Sequence, residues 1–331
     1  MGGNAFTKEN HGFITSRMTR TQYDQVLEII LPFLREYFRI VSVAPEAPGK
    51  VSYGDVDVMV AQSLRPAPYD SLLQDATQAL GLKCKGIIYN NPTTNLAVAI
   101  DDLIVQVDVH IVSRDDLWDL DYWFHSYGDM AMIVSSTVKP SGLRLSSTRG
   151  LWIEIPGHGP FGLSVNIEQI LRFFQLDWER YCSGFETVVD IFEWIDSMKL
   201  NGERIGIKSR GKMIKTHEDR KMWKEYWIRG EDAEYRPSED EKAKILQQAL
   251  EYFNKKKEYS ETCERLLLER ITKEKLNGNK VMEWTGARGK RLGDILKVLR
   301  QDERLSSNAL LEMDDERIKD VVMEYWRDMC A

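Results

Sequence analysis

No stretch of the sequence approaches the ~20 consecutive apolar residues that a helix needs to cross a bilayer. No membrane-spanning helix is therefore expected. The first residues, MGGNAFTKENHG, lack the basic-then-apolar order of a secretory signal. Gly2 has the position of a myristoylated glycine, but Phe6 stands where Ser or Thr is wanted. The expected compartment is cytoplasmic or nuclear. Cysteine is scarce: Cys84, Cys182, Cys263 and Cys330 are far apart and make no Cys-x-x-Cys or Cys/His zinc spacing. Free thiols in a reducing compartment are the expectation. Positive charge is not in excess, since 45 Lys and Arg face 52 Asp and Glu for a net charge of −7. Proteins that coat nucleic acid are usually basic, so any such contact here needs a local patch. No Walker A, Gly-x-Gly-x-x-Gly or Gly-x-Ser-x-Gly motif stands in the right surroundings. Internal repeats and low-complexity tracts are lacking as well.

What is present describes a well-cored protein. The 331 residues are 43% hydrophobic and include nine Trp and thirteen Tyr, which argues against disorder. That length suffices for two domains, or for one large domain with a helical appendage. Residues 1–20 are polar and mixed and read as an N-terminal arm outside the core. From Thr21, a plausible N-cap, apolar residues recur at helical steps through Val26, Ile29, Ile30, Phe33, Leu34, Tyr37 and Phe38. Pro32 is expected to kink or split that helix. Residues 40–44 form a strand candidate, ended by Pro45, Pro48 and Gly49. Residues 55–60 alternate as a half-buried strand does, and 69–80 read as a helix closed by Gly81. Two strands, 95–100 and 103–111, meet at Asp101-Asp102 as a hairpin, and a second hairpin is expected over 142–145 and 151–155. Beyond Ser164 the pattern turns helical: two helices within 165–200, then 218–228, 238–256, 259–274, 290–300 and 308–328. The fold class is α+β, with a compact unit at 21–160 and a mainly helical part at 161–331.

The informative segment is Ser52-Tyr53-Gly54-Asp55-Val56-Asp57-Val58-Met59-Val60. Residues two apart on a strand face the same way, so Asp55 and Asp57 project together while Val56, Val58 and Val60 line the opposite face. Adjacent carboxylates repel, and a divalent cation is their natural counter-charge. The run Ile104-Val105-Gln106-Val107-Asp108-Val109-His110-Ile111 carries a single Asp amid valines, which is costly to bury alone. If the two strands pair, Asp108 meets Asp55 and Asp57 on one surface. Three converging carboxylates suit two Mg²⁺ ions, an arrangement that stabilises in-line displacement at phosphorus.

This pattern resembles the DNA polymerase β-like nucleotidyltransferase superfamily, whose members include poly(A) polymerases and CCA-adding enzymes. Gly54-Asp55-Val56-Asp57-Val58 resembles its apolar-flanked Asp-x-Asp, and Val107-Asp108-Val109 its third-Asp strand. The resemblance implies a mixed sheet with helices. It implies that Asp55 and Asp57 bind Mg²⁺ or Mn²⁺, and that Asp108 binds the catalytic metal and helps deprotonate the acceptor hydroxyl. The substrate implied is a nucleoside triphosphate. The sequence departs from the family at the Gly-Ser turn, where Val41-Ser42-Val43-Ala44 stands instead. Ser42 is the candidate phosphate contact, Lys50 the candidate phosphate charge, and Gly54 completes the cofactor-binding set.

Two basic segments are candidate RNA contacts. Trp284-Thr285-Gly286 and Gly289-Lys290-Arg291-Leu292-Gly293-Asp294 are similar to a stretch in CCA-adding and bacterial-type poly(A) polymerases, where two helices meet at a Gly-rich turn. Arg288, Lys290 and Arg291 place charge there. Arg204–Arg229 holds nine basic residues against three acids, with Trp223, Tyr226 and Trp227 among them. Charge with stacking suits a single strand; a solvated helix with its aromatics in the core is the plainer reading. His110 reads as a hydrogen-bonded strand histidine on the face of Asp108. Asp129 reads as a turn or helix cap. Three functions are consistent with the sequence: a nucleotidyltransferase acting on an acceptor such as an RNA 3′ end, an inactive relative that binds nucleotide or RNA, and an acidic-faced scaffold for a basic partner.

Overall fold

The computed structural model describes residues 3–65, 68–200, 203–204, 220–229 and 237–330. The chain is α+β and divides into two units, one of residues 1–154 and 160–253, the other of 155–159 and 254–331. The division at 253/254 differs from the step at 160/161 read from the sequence. The described helices of 167–173, 178–183, 188–196, 221–229 and 239–252 form as expected, yet they belong to the sheet-bearing unit and bury aromatic side chains such as Phe174, Trp194 and Trp223, while 199–200 and 203–204 pair as two short strands.

The first unit opens with a single turn, α1 (Lys8–His11), and then α2 (Arg20–Leu34). The capping residue of α2 is Thr19, not Thr21. Its hydroxyl accepts from the Gln22 N–H while the Gln22 side chain returns to the Thr19 N–H, a reciprocal capping box. Tyr23, Val26, Ile30 and Leu34 recur at three- and four-residue steps and are all buried. Pro32 does not split the helix into two. It is exposed in the last turn, and the chain leaves helical geometry after Leu34 to enter β1 (Phe38–Val43).

Next come β2 (Asp55–Ser63), α3 (Tyr69–Leu80), β3 (Cys84–Asn90), β4 (Thr93–Ile100) and β5 (Leu103–Ile111). They form a five-stranded sheet in the order β1-β2-β5-β4-β3, and its central pair, β2 and β5, is parallel while its other pairs are antiparallel. Val56, Val58, Val60, Val105, Val107 and Val109 form one face with no exposure, in one core with the buried residues of α2. Fully burying one Val is worth roughly 1.5–3 kcal/mol, so this face is the main stabiliser of the sheet.

Residues 3–18 are not an arm outside the core. Phe6 and Met18 are buried at 2% and 1% exposure. The Met18 N–H donates to the Tyr53 carbonyl at 2.7 Å and the Tyr53 N–H returns to Met18 at 2.9 Å. The Ser16 N–H donates to the Ile104 carbonyl at 2.7 Å. Gly3 lies so close to Gly54 that a Cβ would sit 2.2 Å from the Gly54 carbonyl oxygen. This segment has too few apolar residues for a periodic signal, and its backbone hydrogen bonds do the anchoring.

Helices α4 (Trp118–His125) and α5 (Met130–Val138) follow, then a three-stranded sheet of β6 (Leu143–Ser146), β7 (Gly150–Ile155) and β8 (Gly159–Ser164). Helices α6 (Ile167–Phe173), α7 (Trp178–Ser183), α8 (Val188–Asp196), α9 (Lys221–Arg229) and α10 (Glu239–Tyr252) complete the unit. The second unit has α11 (Lys256–Lys275), α12 (Gly278–Thr285), α13 (Gly289–Leu299), α14 (Ser307–Glu312) and α15 (Asp315–Cys330) around Val281, Ile295, Leu299, Leu310, Ile318 and Val322. Among the described residues, no helix is long and apolar enough to cross a membrane.

Candidate metal centre

The parallel register of β2 and β5 sets Asp57 directly opposite Asp108, and Asp55 opposite Gln106. Side chains two apart share a face, so Asp55 joins the pair. One carboxylate oxygen from each of Asp55, Asp57 and Asp108 lies within 4.8 Å of the others, and all three residues are half-buried. The three aspartates read from the sequence are thus brought together.

Their electrostatics show uncompensated negative charge. Burial, then Asp55, then Asp108, push the Asp57 carboxyl up to about 7, with Glu46 adding and Lys50 opposing. Burial raises Asp108 too, against hydrogen bonds that lower it. Those bonds come from Asn95 Nδ2 at 2.7 Å and Gln106 Nε2 at 2.8 Å, both to Oδ1. Two amide donors on one oxygen fix the carboxylate plane and leave Oδ2 for a ligand. The donor set is oxygen throughout, which fits hard divalent cations such as Mg²⁺ and Mn²⁺.

Ser42 faces Met59 across the β1–β2 ladder and is half-buried. Directly opposed residues share a face, so Ser42 lies on the carboxylate side near Asp57. Lys50 is held by Glu46, with Nζ 2.6 Å from Oε2, and lies 5.1 Å from the Tyr53 ring centre. Gly54 is buried beneath Gly3. Residues 44–54 form no helix.

Sequence reasoning missed Glu46, Asn95 and Asp121. Asn95 was readable in principle, because it sits opposite Asp108 on β4. His110 is hydrogen-bonded, as expected of a strand histidine: Nε2 to Asp121 Oδ2 at 2.8 Å and Nδ1 to Thr93 Oγ1 at 3.1 Å. His125, which burial keeps toward its neutral form, lies tilted against it with 4.4 Å between ring centres. Asp129 occupies the backbone N-cap position of α5 without capping it through its side chain. Its carboxylate instead accepts from the Trp223 N–H in the first turn of α9 at 3.1 Å and from Arg220 Nη1 at 2.7 Å.

Of the two basic segments, 205–219 lies outside the described residues. Trp223, Tyr226 and Trp227 are buried at 1%, 8% and 5% exposure, so they offer no stacking surface. Arg288, Lys290 and Arg291 are exposed where α13 begins, after Gly286 ends α12 in the left-handed conformation. Compared with known proteins, the chain matches no family model and no curated protein.

Proposed function

We propose that this protein is a Mg²⁺- or Mn²⁺-dependent nucleotidyltransferase of the DNA polymerase β-like kind, moving a nucleoside monophosphate from a nucleoside triphosphate to an acceptor hydroxyl. The observation that carries this reading is the meeting of Asp55, Asp57 and Asp108 across one parallel strand pair. Clustering three acids on a half-buried surface costs stability unless a cation answers them. When bound, a divalent metal pair would offset charge at the reacting phosphate.

The residues have separate tasks. Asp55 and Asp57 would hold both metals, and Asp108 would share in binding the catalytic one. Asp108, oriented by Asn95 and Gln106, accepts the proton of the attacking hydroxyl. The hydroxyl oxygen bonds to the α-phosphorus as the bond to pyrophosphate breaks. The raised affinity of Asp108 for a proton suits it to act as base. Ser42 and Lys50 contact the triphosphate, with Lys50 leaving Glu46 to do so. An RNA 3′ end is the proposed acceptor, and exposed Arg288, Lys290 and Arg291 are candidate RNA contacts.

A second reading, a nucleotide- or RNA-binding module without catalysis, is favoured by one observation: residues 44–54 supply no helix to cradle phosphates. Thermal shift with Mg²⁺ and each nucleoside triphosphate, on wild type and Asp55→Ala/Asp57→Ala, separates the readings when joined to incorporation of labelled nucleotide into total RNA or lysate. The transferase shifts and incorporates label, and the variant does neither. The module shifts without incorporation, and no shift at all rejects both.

A further inference from the structure

A second group of donors stands beyond the carboxylates on the same strand face. β5 presents His110 two residues past Asp108, about 6.6 Å along the strand. α4 presents Asp121 and His125 at i and i+4, one turn apart on one side of the helix. One donor atom from each of the three lies within 4.8 Å of the others. Both imidazoles are tethered by Nδ1. That of His110 meets Thr93 Oγ1 at 3.1 Å, and that of His125 meets the Asp121 carbonyl at 2.9 Å. His110 turns its Nε2 to the Asp121 carboxylate at 2.8 Å, while His125 Nδ1 also lies 3.5 Å from Asp121 Oδ1 and its Nε2 is free of that tether. Metal-ligating histidines are commonly held in this way, the second nitrogen bonded to an oxygen outside the site.

The carboxylate supplies the independent observation. Asp121 is 9% exposed, and its Oδ1 accepts no hydrogen bond, with His125 Nδ1 in ion-pair range at 3.5 Å. A buried carboxylate oxygen left without a donor costs free energy that a nearby cation recovers. Two nitrogens and a carboxylate are the donors preferred by Zn²⁺ and its first-row neighbours rather than by Mg²⁺.

We propose that His110, Asp121 and His125 bind one first-row divalent transition ion, Zn²⁺ by chemistry, which ties α4 to β5. The spacing along β5 separates this ion from the carboxylate trio, because paired catalytic metals lie about 3.5–4 Å apart. The site stands whether or not the protein transfers nucleotides. The competing occupant is a proton, with His110 Nε2–H donated to Asp121 Oδ2 at 2.8 Å and no metal bound.

The test uses the full chain carrying Asp55→Asn/Asp57→Asn/Asp108→Asn, which silences the carboxylate trio. After chelator treatment, Co²⁺ is titrated as a spectroscopic probe and then displaced with Zn²⁺. One equivalent of Co²⁺ is expected, with visible ligand-field bands that Zn²⁺ abolishes. Zn²⁺ at a hundredfold excess over its dissociation constant is expected to raise Tm by roughly 5 °C. Adding His125→Gln or Asp121→Asn weakens binding at least tenfold, and Thr93→Val weakens it by about tenfold through the tether alone. Absence of both bands and Tm shift in the trio-silenced chain overturns the proposal, and that readout needs no change within the second cluster. Co²⁺ binding that survives His125→Gln unchanged overturns it equally.

Discussion

On one face of the β2–β5 pair, six valines are wholly buried in a core shared with α2. On the other face of the same two strands, Asp55, Asp57 and Asp108 stay half-buried, with His110 further along. The apolar face gains free energy by excluding water. The polar face concentrates like charge that only a counter-ion or a proton relieves. A strand alternates by necessity, so one short sequence can build a stabilising surface and a reactive one without either residue set intruding on the other. Substitutions on one side therefore act on stability, and those on the other side act on chemistry.

The sharpest way to break that division is to move a charge across it. Val107→Asp places an unpaired carboxylate in the apolar core and is expected to cost more than about 4 kcal/mol, enough to unfold the unit. Urea denaturation followed by circular dichroism reads this directly. Its neighbour Asp108→Asn changes only the opposite face, and should keep or raise the urea midpoint while lowering nucleotidyl transfer by about 10³-fold, or ~4 kcal/mol of barrier. A variant that keeps activity would remove Asp108 from the chemistry.

A smaller effect concerns pH. Asp57 holds its proton to about 7 in the folded chain, whereas an unfolded Asp releases it near 3.9. Between those values the folded state binds more protons, so the metal-free protein loses stability as pH rises from about 4 to about 7. Asp57→Asn abolishes that slope and is expected to stabilise the chelator-treated protein at pH 8 by on the order of 2 kcal/mol. Urea midpoints at pH 5 and pH 8 for both proteins measure it. Parallel pH responses in the two would mean that neither burial nor its neighbouring carboxylates raise Asp57. Smallest is Thr19→Ala, which removes the α2 cap behind the apolar face and should cost about 1 kcal/mol without altering activity.

Where the pattern was periodic, it was legible. Helix α3 has the bounds its sequence suggests, Tyr69–Leu80 ended at Gly81, and β5 runs from Leu103 to Ile111 as its alternation implies. The facing of Asp55 and Asp57 followed from the same alternation. Strand β3 went unread because Gly86 and mixed polarity hide its period. Helices α4 and α5 went unread for the opposite reason: α5 buries Met130, Ala131, Ile133, Val134, Thr137 and Val138, leaving no polar stripe. With α4 missing, Asp121 and His125 could not be set beside His110. Glu46 lies in a loop that carries no period at all. The parallel pairing that joins Asp57 to Asp108 is a long-range event, visible only once the chain between them has folded.

The Ala5 N–H donates to Gln106 Oε1 at 2.9 Å, and Gln106 Nε2 in turn donates to Asp108. A primary amide has two unlike ends, and this bond decides which one each neighbour meets. The first residues thus act as a polarity lock: by claiming the oxygen, they oblige the amide to offer its hydrogens to the carboxylate. Cut away, they would free Gln106, buried at 3% exposure, to turn about and set oxygen against oxygen. A deletion more than one hundred positions away in the chain would then be felt as a change of charge at Asp108.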